Sequence, residues 1–167
     1  LIEDMIVSVD LDVRPFVLRG DSGDTYLAET LIVCTGAQAR WLGLPGETRL
    51  RGFGVSACAT CDGFFFRGKT VAVVGGGNTA AEEALYLTNH AAKVYLIHRR
   101  DTLRADKTNQ TRVLAHPKIE MVWDSVIDDV LGSGTPEAVS GLALRNVRTG
   151  ATRRLDIDGL FVAIGHT

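Results

Sequence analysis

Val71-Ala72-Val73-Val74-Gly75-Gly76-Gly77-Asn78-Thr79-Ala80 decides how this chain is read. Four small or β-branched apolar residues run into three glycines, and helix formers follow. The apolar run predicts a short strand buried on both faces. Ala81, Ala84, Leu85 and Tyr86 then predict a helix over residues 78–90, with Glu82 and Glu83 in the early turns, where the helix dipole favours acids. Val94-Tyr95-Leu96-Ile97 reads as a second buried strand. Residues 71–97 therefore form one strand–helix–strand unit.

Within it, Gly75-Gly76-Gly77-Asn78-Thr79-Ala80 fits G-x-G-x-x-A. Gly75 permits the tight turn, Gly77 lets the backbone approach a pyrophosphate, and Ala80 lets the helix pack close to the strand. Phosphate then sits on the free N–H groups of the helix start, beside Asn78 and Thr79. The pattern alone is weak, and a glycine turn without a ligand is the other reading. A strand before it and a helix after it are the context that favours the dinucleotide site. The predicted fold class is α/β, with a Rossmann-like three-layer nucleotide domain.

The end of the second strand bears on which nucleotide. An NAD site places an acid there for the ribose 2′-hydroxyl. This chain has His98-Arg99-Arg100, with Arg104 one turn on. Guanidinium forks pair with a 2′-phosphate, whereas an acid would repel it. The expectation is NADPH over NADH, against the alternative of a solvated basic patch.

Upstream stands Ser56-Ala57-Cys58-Ala59-Thr60-Cys61-Asp62-Gly63. The C-x-x-C spacing lets a cysteine pair cycle between dithiol and disulfide. Asp62 supplies a carboxyl that can carry a proton to or from a leaving thiolate. A reduced structural pair is an alternative. Zinc is another, but a closed site wants four ligands, and Cys34, His90, His98 and His116 show no ligand spacing. No metal site is expected.

Farther out, residues 5–34 read as β structure punctuated by turn residues. Leu31-Ile32-Val33-Cys34 reads as a buried strand with Cys34 a small core residue. Residues 42–47 carry Gly and Pro without periodicity and read as a linker. A helix is expected over 104–115, before Pro117. Residues 119–122, 125–131, 139–147 and 153–157 read as a β-meander, and 160–164 as a last buried strand.

The 167 residues are 46% hydrophobic and 23% charged with a net charge of −2, as in a globular protein with a packed core. That balance gives no nucleic-acid footprint. No apolar run reaches the ~18 residues of a membrane span. No signal peptide is read at the first residues, so a cytoplasmic location is expected.

These stretches together resemble low-molecular-weight, bacterial-type thioredoxin reductase. The likeness runs through Thr35-Gly36-Ala37, Leu42 to Pro45, Gly54 to Phe65, Gly75 to Leu87, Leu96 to Asp101, Arg104-Ala105 and Gly159 to His166. The resemblance implies a flavoenzyme in which NADPH reduces FAD, FAD reduces the dithiol, and the dithiol reduces thioredoxin. Cys58 and Cys61 would form the redox disulfide, with Asp62 the acid. Thr79 would lie by the NADPH phosphates, Arg99, Arg100 and Arg104 around the 2′-phosphate, and His98 at the adenosine pocket. Thr35 and Gly36 would belong to the FAD side, Ile164 and His166 to the return crossing between domains. Hinges would lie near residues 43–47 and after Gly165. The intact enzyme would be a homodimer.

The family's N-terminal FAD turn and C-terminal Gly-Asp segment have no counterpart here. The expectation is therefore a fragment: residues 1–42 as part of an FAD-type domain, 43–165 as the NADPH domain with the dithiol, and 166–167 as the start of the return. Such a chain alone is not expected to turn over. Two other functions stay open. One is an NAD(P)H-dependent flavoprotein reducing a peroxiredoxin, the other a non-catalytic NADPH-binding dithiol module.

Overall fold

The computed structural model describes residues 1–167 and resolves into two compact units, Leu1–Gly36 and Ala37–Thr167. The first is an antiparallel sheet of three strands in order: β1 (Ile6–Asp10), β2 (Phe16–Gly20) and β3 (Thr25–Ala28). Asp4 ties the sheet's turn together, accepting from Ser22 Oγ at 2.8 Å and Tyr26 Oη at 2.6 Å.

Residues 31–34 are not the expected buried strand. They lie outside any strand, Ile32 is 84% exposed, and Cys34 is an exposed free thiol. The run has strand-like composition, but a strand persists only where a neighbour pairs its backbone.

The second unit is built on a five-stranded parallel sheet in the order β4 (Val55–Ser56), β11 (Gly159–Ala163), β5 (Thr70–Gly75), β6 (Lys93–Ile97), β7 (Ile119–Val122). Side chains alternate across a strand. Val71, Val73, Val94, Leu96, Phe161 and Ala163 therefore share one face. Ala72, Val74, Ile97, Leu160 and Val162 share the other. On the first face pack α3 (Asn78–Leu87) and α4 (Lys107–Ala115), through Ala80, Ala81, Ala84, Leu87 and Val113. On the second packs an antiparallel meander of β8 (Ser125–Ser133), β9 (Ala138–Asn146) and β10 (Thr152–Leu155), through Val130, Leu142, Leu144 and Leu155. The result is three layers with a core on each side of the sheet. Each fully buried side chain the size of Phe161 or Leu96 contributes ~1.5–3 kcal/mol.

Three boundaries differ from the sequence expectation. α3 stops at Leu87, where Thr88 Oγ1 donates to Leu85 O at 2.6 Å, and residues 88–90 turn. α4 starts at Lys107, because Asp106 caps it by accepting the Asn109 N–H at 2.9 Å. β7 joins the parallel sheet beside β6 rather than the meander. Residues 42–47 are no loose linker either. Pro45–Arg49 forms α1, and the Glu47 carboxylate, fully buried, accepts the Leu42 and Gly43 N–H groups at 2.8 Å each. Gly46 seats this turn on the meander: its N–H donates to Asp129 Oδ1 at 3.0 Å, and a Cβ would stand 2.0 Å from Val130 O. No helix is long and apolar enough to cross a membrane.

Candidate active site

The glycine turn lies where β5 meets α3. Gly75 has φ 157°, and a Cβ there would stand 2.3 Å from Ala163 O and 2.6 Å from Ala80 Cβ. Strand and helix approach too closely for any side chain at Gly75, and Ala80 is fully buried against it. Gly77 caps α3 without a side-chain bond, and nothing lies within 4 Å of where its Cβ would be. Open space thus faces the uncapped N–H groups of a ten-residue helix, the arrangement that receives phosphate. Thr79 is exposed beside it. Asn78 is exposed as well, but its Oδ1 accepts the Asp106 N–H at 2.7 Å, tying the start of α3 to the start of α4.

His98 follows β6 and is buried, with Nε2 lacking any partner. Burial holds its pKa below the usual histidine range; a hydrogen bond with the Gly75 backbone opposes this, and the positive charges of Arg100, Arg104 and Arg99 add to it. The imidazole is therefore neutral at pH 7. Gly76 lies against it, and the Gly76 carbonyl accepts from the N–H groups of Arg104 at 2.6 Å and Ala105 at 3.1 Å. Arg99, Arg100 and Arg104 are exposed and form no ion pair. The neighbouring acids are engaged elsewhere: Asp101 and Asp124 both go to Arg148, the latter at 3.0 Å. Arg148 comes from the turn after β9, and nothing in a local motif marks it. The unpartnered His98 nitrogen, three free guanidinium groups and the open helix start fit a phosphorylated dinucleotide.

The cysteine pair lies on the same side of the sheet as α3. Cys58 and Cys61 form a disulfide with Cα atoms 5.3 Å apart, consistent with the redox-pair reading. No cluster of His, Cys, Asp or Glu could hold a metal. Ser56 Oγ accepts the Cys58 N–H at 3.0 Å, and Cys58 Sγ accepts the Cys61 N–H at 3.2 Å. Cys58 is half-buried, Cys61 exposed and Asp62 half-buried, so the bond is open to an attacking thiolate. The pair heads α2 (Ala59–Asp62), which runs into a 3₁₀ turn, Gly63–Phe66. Two anchors hold this segment. Ala59 is fully buried in the core that contains α3. Phe66 packs edge-on against Phe161, ring centroids 5.3 Å apart, in space left by the missing side chain of Gly159. Phe64 and Phe65 between them are exposed.

Thr35 and Gly36 are exposed at the end of the first unit. Ile164 and His166 are exposed after β11, where His166 bridges to Ala39.

A Rossmann-like α/β fold with a disulfide-bearing segment packed on its glycine-turn helix is the class of protein that this structure defines. The sequence matches the family described as "Pyridine nucleotide-disulphide oxidoreductase" over residues 1–167, and the chain belongs to that family. It is 55% identical to a thioredoxin reductase of Coxiella burnetii, covering 98% of this chain and 51% of that one. It is also 51% identical to a Pseudomonas fluorescens protein named glucosaminate ammonia-lyase, covering 100% of this chain and 52% of that one. The solved thioredoxin reductase of Giardia duodenalis superposes with a TM-score of 0.84 at 42% identity, over 99% of this chain and 53% of that one. The chain thus spans about half the length of the curated relatives it matches.

Proposed function

We propose that this chain is the nucleotide-binding, dithiol-bearing part of a thioredoxin-disulfide reductase, passing electrons from NADPH by way of FAD to Cys58–Cys61 and on to thioredoxin. One observation carries the reading: the disulfide-bearing segment packs on α3, the helix that the glycine turn opens. Gly75, Gly77 and Ala80 shape the turn, and the N–H groups at Asn78 and Thr79 receive the pyrophosphate. Arg99, Arg100 and Arg104 take the 2′-phosphate. Neutral His98 supports the loop beneath the adenosine.

On the thiol side, one cysteine of the reduced pair attacks the thioredoxin disulfide, forming a mixed disulfide and expelling one partner thiolate. The second cysteine then attacks the first, restoring Cys58–Cys61 and releasing the other. Two electrons pass to thioredoxin, and two protons follow them. Asp62, the next residue along, would hand a proton to a leaving sulfur.

FAD, bound in the intact enzyme, supplies the conversion of a hydride into the two electrons a disulfide accepts. Thr35 and Gly36 would belong to the FAD side, and Ile164 and His166 to the return crossing between domains. We assign residues 1–42 and 166–167 to the FAD-type domain and 43–165 to the NADPH domain, and expect a cytoplasmic homodimer for the intact enzyme.

The test uses the chain as it is. It is reduced with dithiothreitol, freed of reductant, and mixed with oxidised thioredoxin. Thioredoxin gaining two thiols as Cys58–Cys61 re-forms is expected, and a Cys58→Ser or Cys61→Ser chain should give none while still binding NADPH. No transfer from the wild-type chain would refute the reading.

A further inference from the structure

Three turns meet beyond the end of β6, and one side chain joins them. His98-Arg99-Arg100-Asp101 follows β6, Trp123-Asp124 links β7 to β8, and Arg148 stands between β9 and β10. Backbone bonds stitch the middle turn to both others. The Asp124 N–H donates to Arg100 O at 3.3 Å, the Ser125 N–H to His98 O at 3.0 Å, and the Val147 N–H to Asp124 O at 2.7 Å. Asp124 is the one non-glycine residue in the left-handed backbone region, at φ 50°, a region that aspartate enters more readily than most side chains. Arg148 closes the junction. Its Nε donates to Asp124 Oδ1 at 3.0 Å and its Nη2 to Asp101 Oδ2.

These two carboxylates flank the basic loop: Asp101 follows Arg100 directly, and Asp124 is bonded to the Arg100 backbone. Without a partner, each would put a negative charge beside the guanidinium groups, competing for them and repelling an incoming phosphate. The fork of Arg148 takes both. Asp106, two residues after Arg104, is also engaged, accepting the Asn109 N–H at 2.9 Å and its side-chain amide at 2.8 Å. Arg99, Arg100 and Arg104 stay exposed. An NAD site places an acid near the end of this strand. This chain carries one there, Asp101, and cancels it with an arginine 47 residues on.

We propose that Arg148 is a specificity-determining residue for the phosphorylated dinucleotide: it neutralises Asp101 and Asp124 and so keeps Arg99 and Arg100 open to a 2′-phosphate. It acts through the two acids, as a positioning residue, and need not touch the nucleotide. The inference rests on the NADPH reading proposed above, but not on the cysteine pair or on a flavin.

The experiment is calorimetric titration of NADP⁺ and NAD⁺ into the chain at low salt. It compares wild type, Arg148→Ala, Asp101→Asn with Asp124→Asn, and the three substitutions combined. Arg148 is 60% exposed, and exposed ion pairs contribute little to stability, so the variants should fold. Arg148→Ala should weaken NADP⁺ by about five- to tenfold and NAD⁺ by less than about twofold, and added salt should shrink the NADP⁺ loss. The triple variant should return to within about twofold of wild type, because the acids that Arg148 restrains are gone. Unchanged NADP⁺ affinity in Arg148→Ala overturns the proposal. So do equal losses for both nucleotides, which would report a disturbed loop rather than charge. A triple variant as weak as Arg148→Ala also overturns it, since Arg148 would then act on the nucleotide itself. These three failures leave the NADPH reading standing. A wild-type chain that binds NADP⁺ no better than NAD⁺ overturns both.

Discussion

The imidazole of His98 lies against the backbone of Gly76, so close that a Cβ on Gly76 would stand 2.1 Å from Cε1 and 2.3 Å from Nδ1. The middle glycine of the turn is thus required by a buried side chain that arrives from the next strand.

Gly76→Ala should therefore displace His98 and with it the Gly76 carbonyl that anchors Arg104 and Ala105. Overpacking of this kind costs ~1–3 kcal/mol. The expected result is a lower unfolding midpoint and a loss of NADP⁺ affinity of about tenfold or more, read by calorimetry. Unchanged binding would mean that the turn tolerates the shift and that His98 does not support it.

Arg99→Ala with Arg100→Ala should weaken NADP⁺ binding and leave NAD⁺ binding nearly unchanged. Hydrogen bonds to charged groups contribute ~1.5–3 kcal/mol each, so a loss of about tenfold or more is expected for the phosphorylated nucleotide. Equal losses for both nucleotides would remove the 2′-phosphate assignment.

Stability should fall in acid because of His98. Its pKa is lowered in the folded state, so the unfolded chain binds the extra proton first. The contribution is complete above the unfolded value, about 6.5, and is lost as pH falls below it. Urea midpoints at pH 7.5 and 5.5 should differ more for wild type than for His98→Asn. Parallel changes in the two would assign the acid sensitivity to other groups.

Glu47→Ala should be among the more damaging substitutions outside the site. It leaves the Leu42 and Gly43 N–H groups without their acceptor inside the fold. Hydrogen bonds to a charged group contribute ~1.5–3 kcal/mol each. Denaturant unfolding should show a loss of about 2–4 kcal/mol, whereas a loss below about 0.5 kcal/mol would mean that water reaches these groups.

Legibility in the sequence followed locality. The strand of Val71 to Val74, the turn at Gly75 and the helix from Asn78 are specified by neighbours in the chain: β-branched residues, a backbone without Cβ, then helix formers. Arg99, Arg100 and Arg104 were legible because topology places the end of β6 beside that turn, and Cys58 and Cys61 because their spacing is itself a geometric statement. Leu31 to Cys34 misled because burial depends on what covers a strand, which composition does not state. Residues 42–47 misled because Glu47 looks like a surface acid until its two N–H partners are seen.

Short-range sterics and spacing, written in the chain, specify the α/β class, the glycine turn and the C-x-x-C pair. Which side chains gather around that turn is set by the packing of the layers. His98 against Gly76 and Arg148 drawing Asp101 and Asp124 away from the arginines are meetings of residues far apart in the chain. Burial and neighbouring charge are properties of the assembled layers, and these lower the proton affinity of His98.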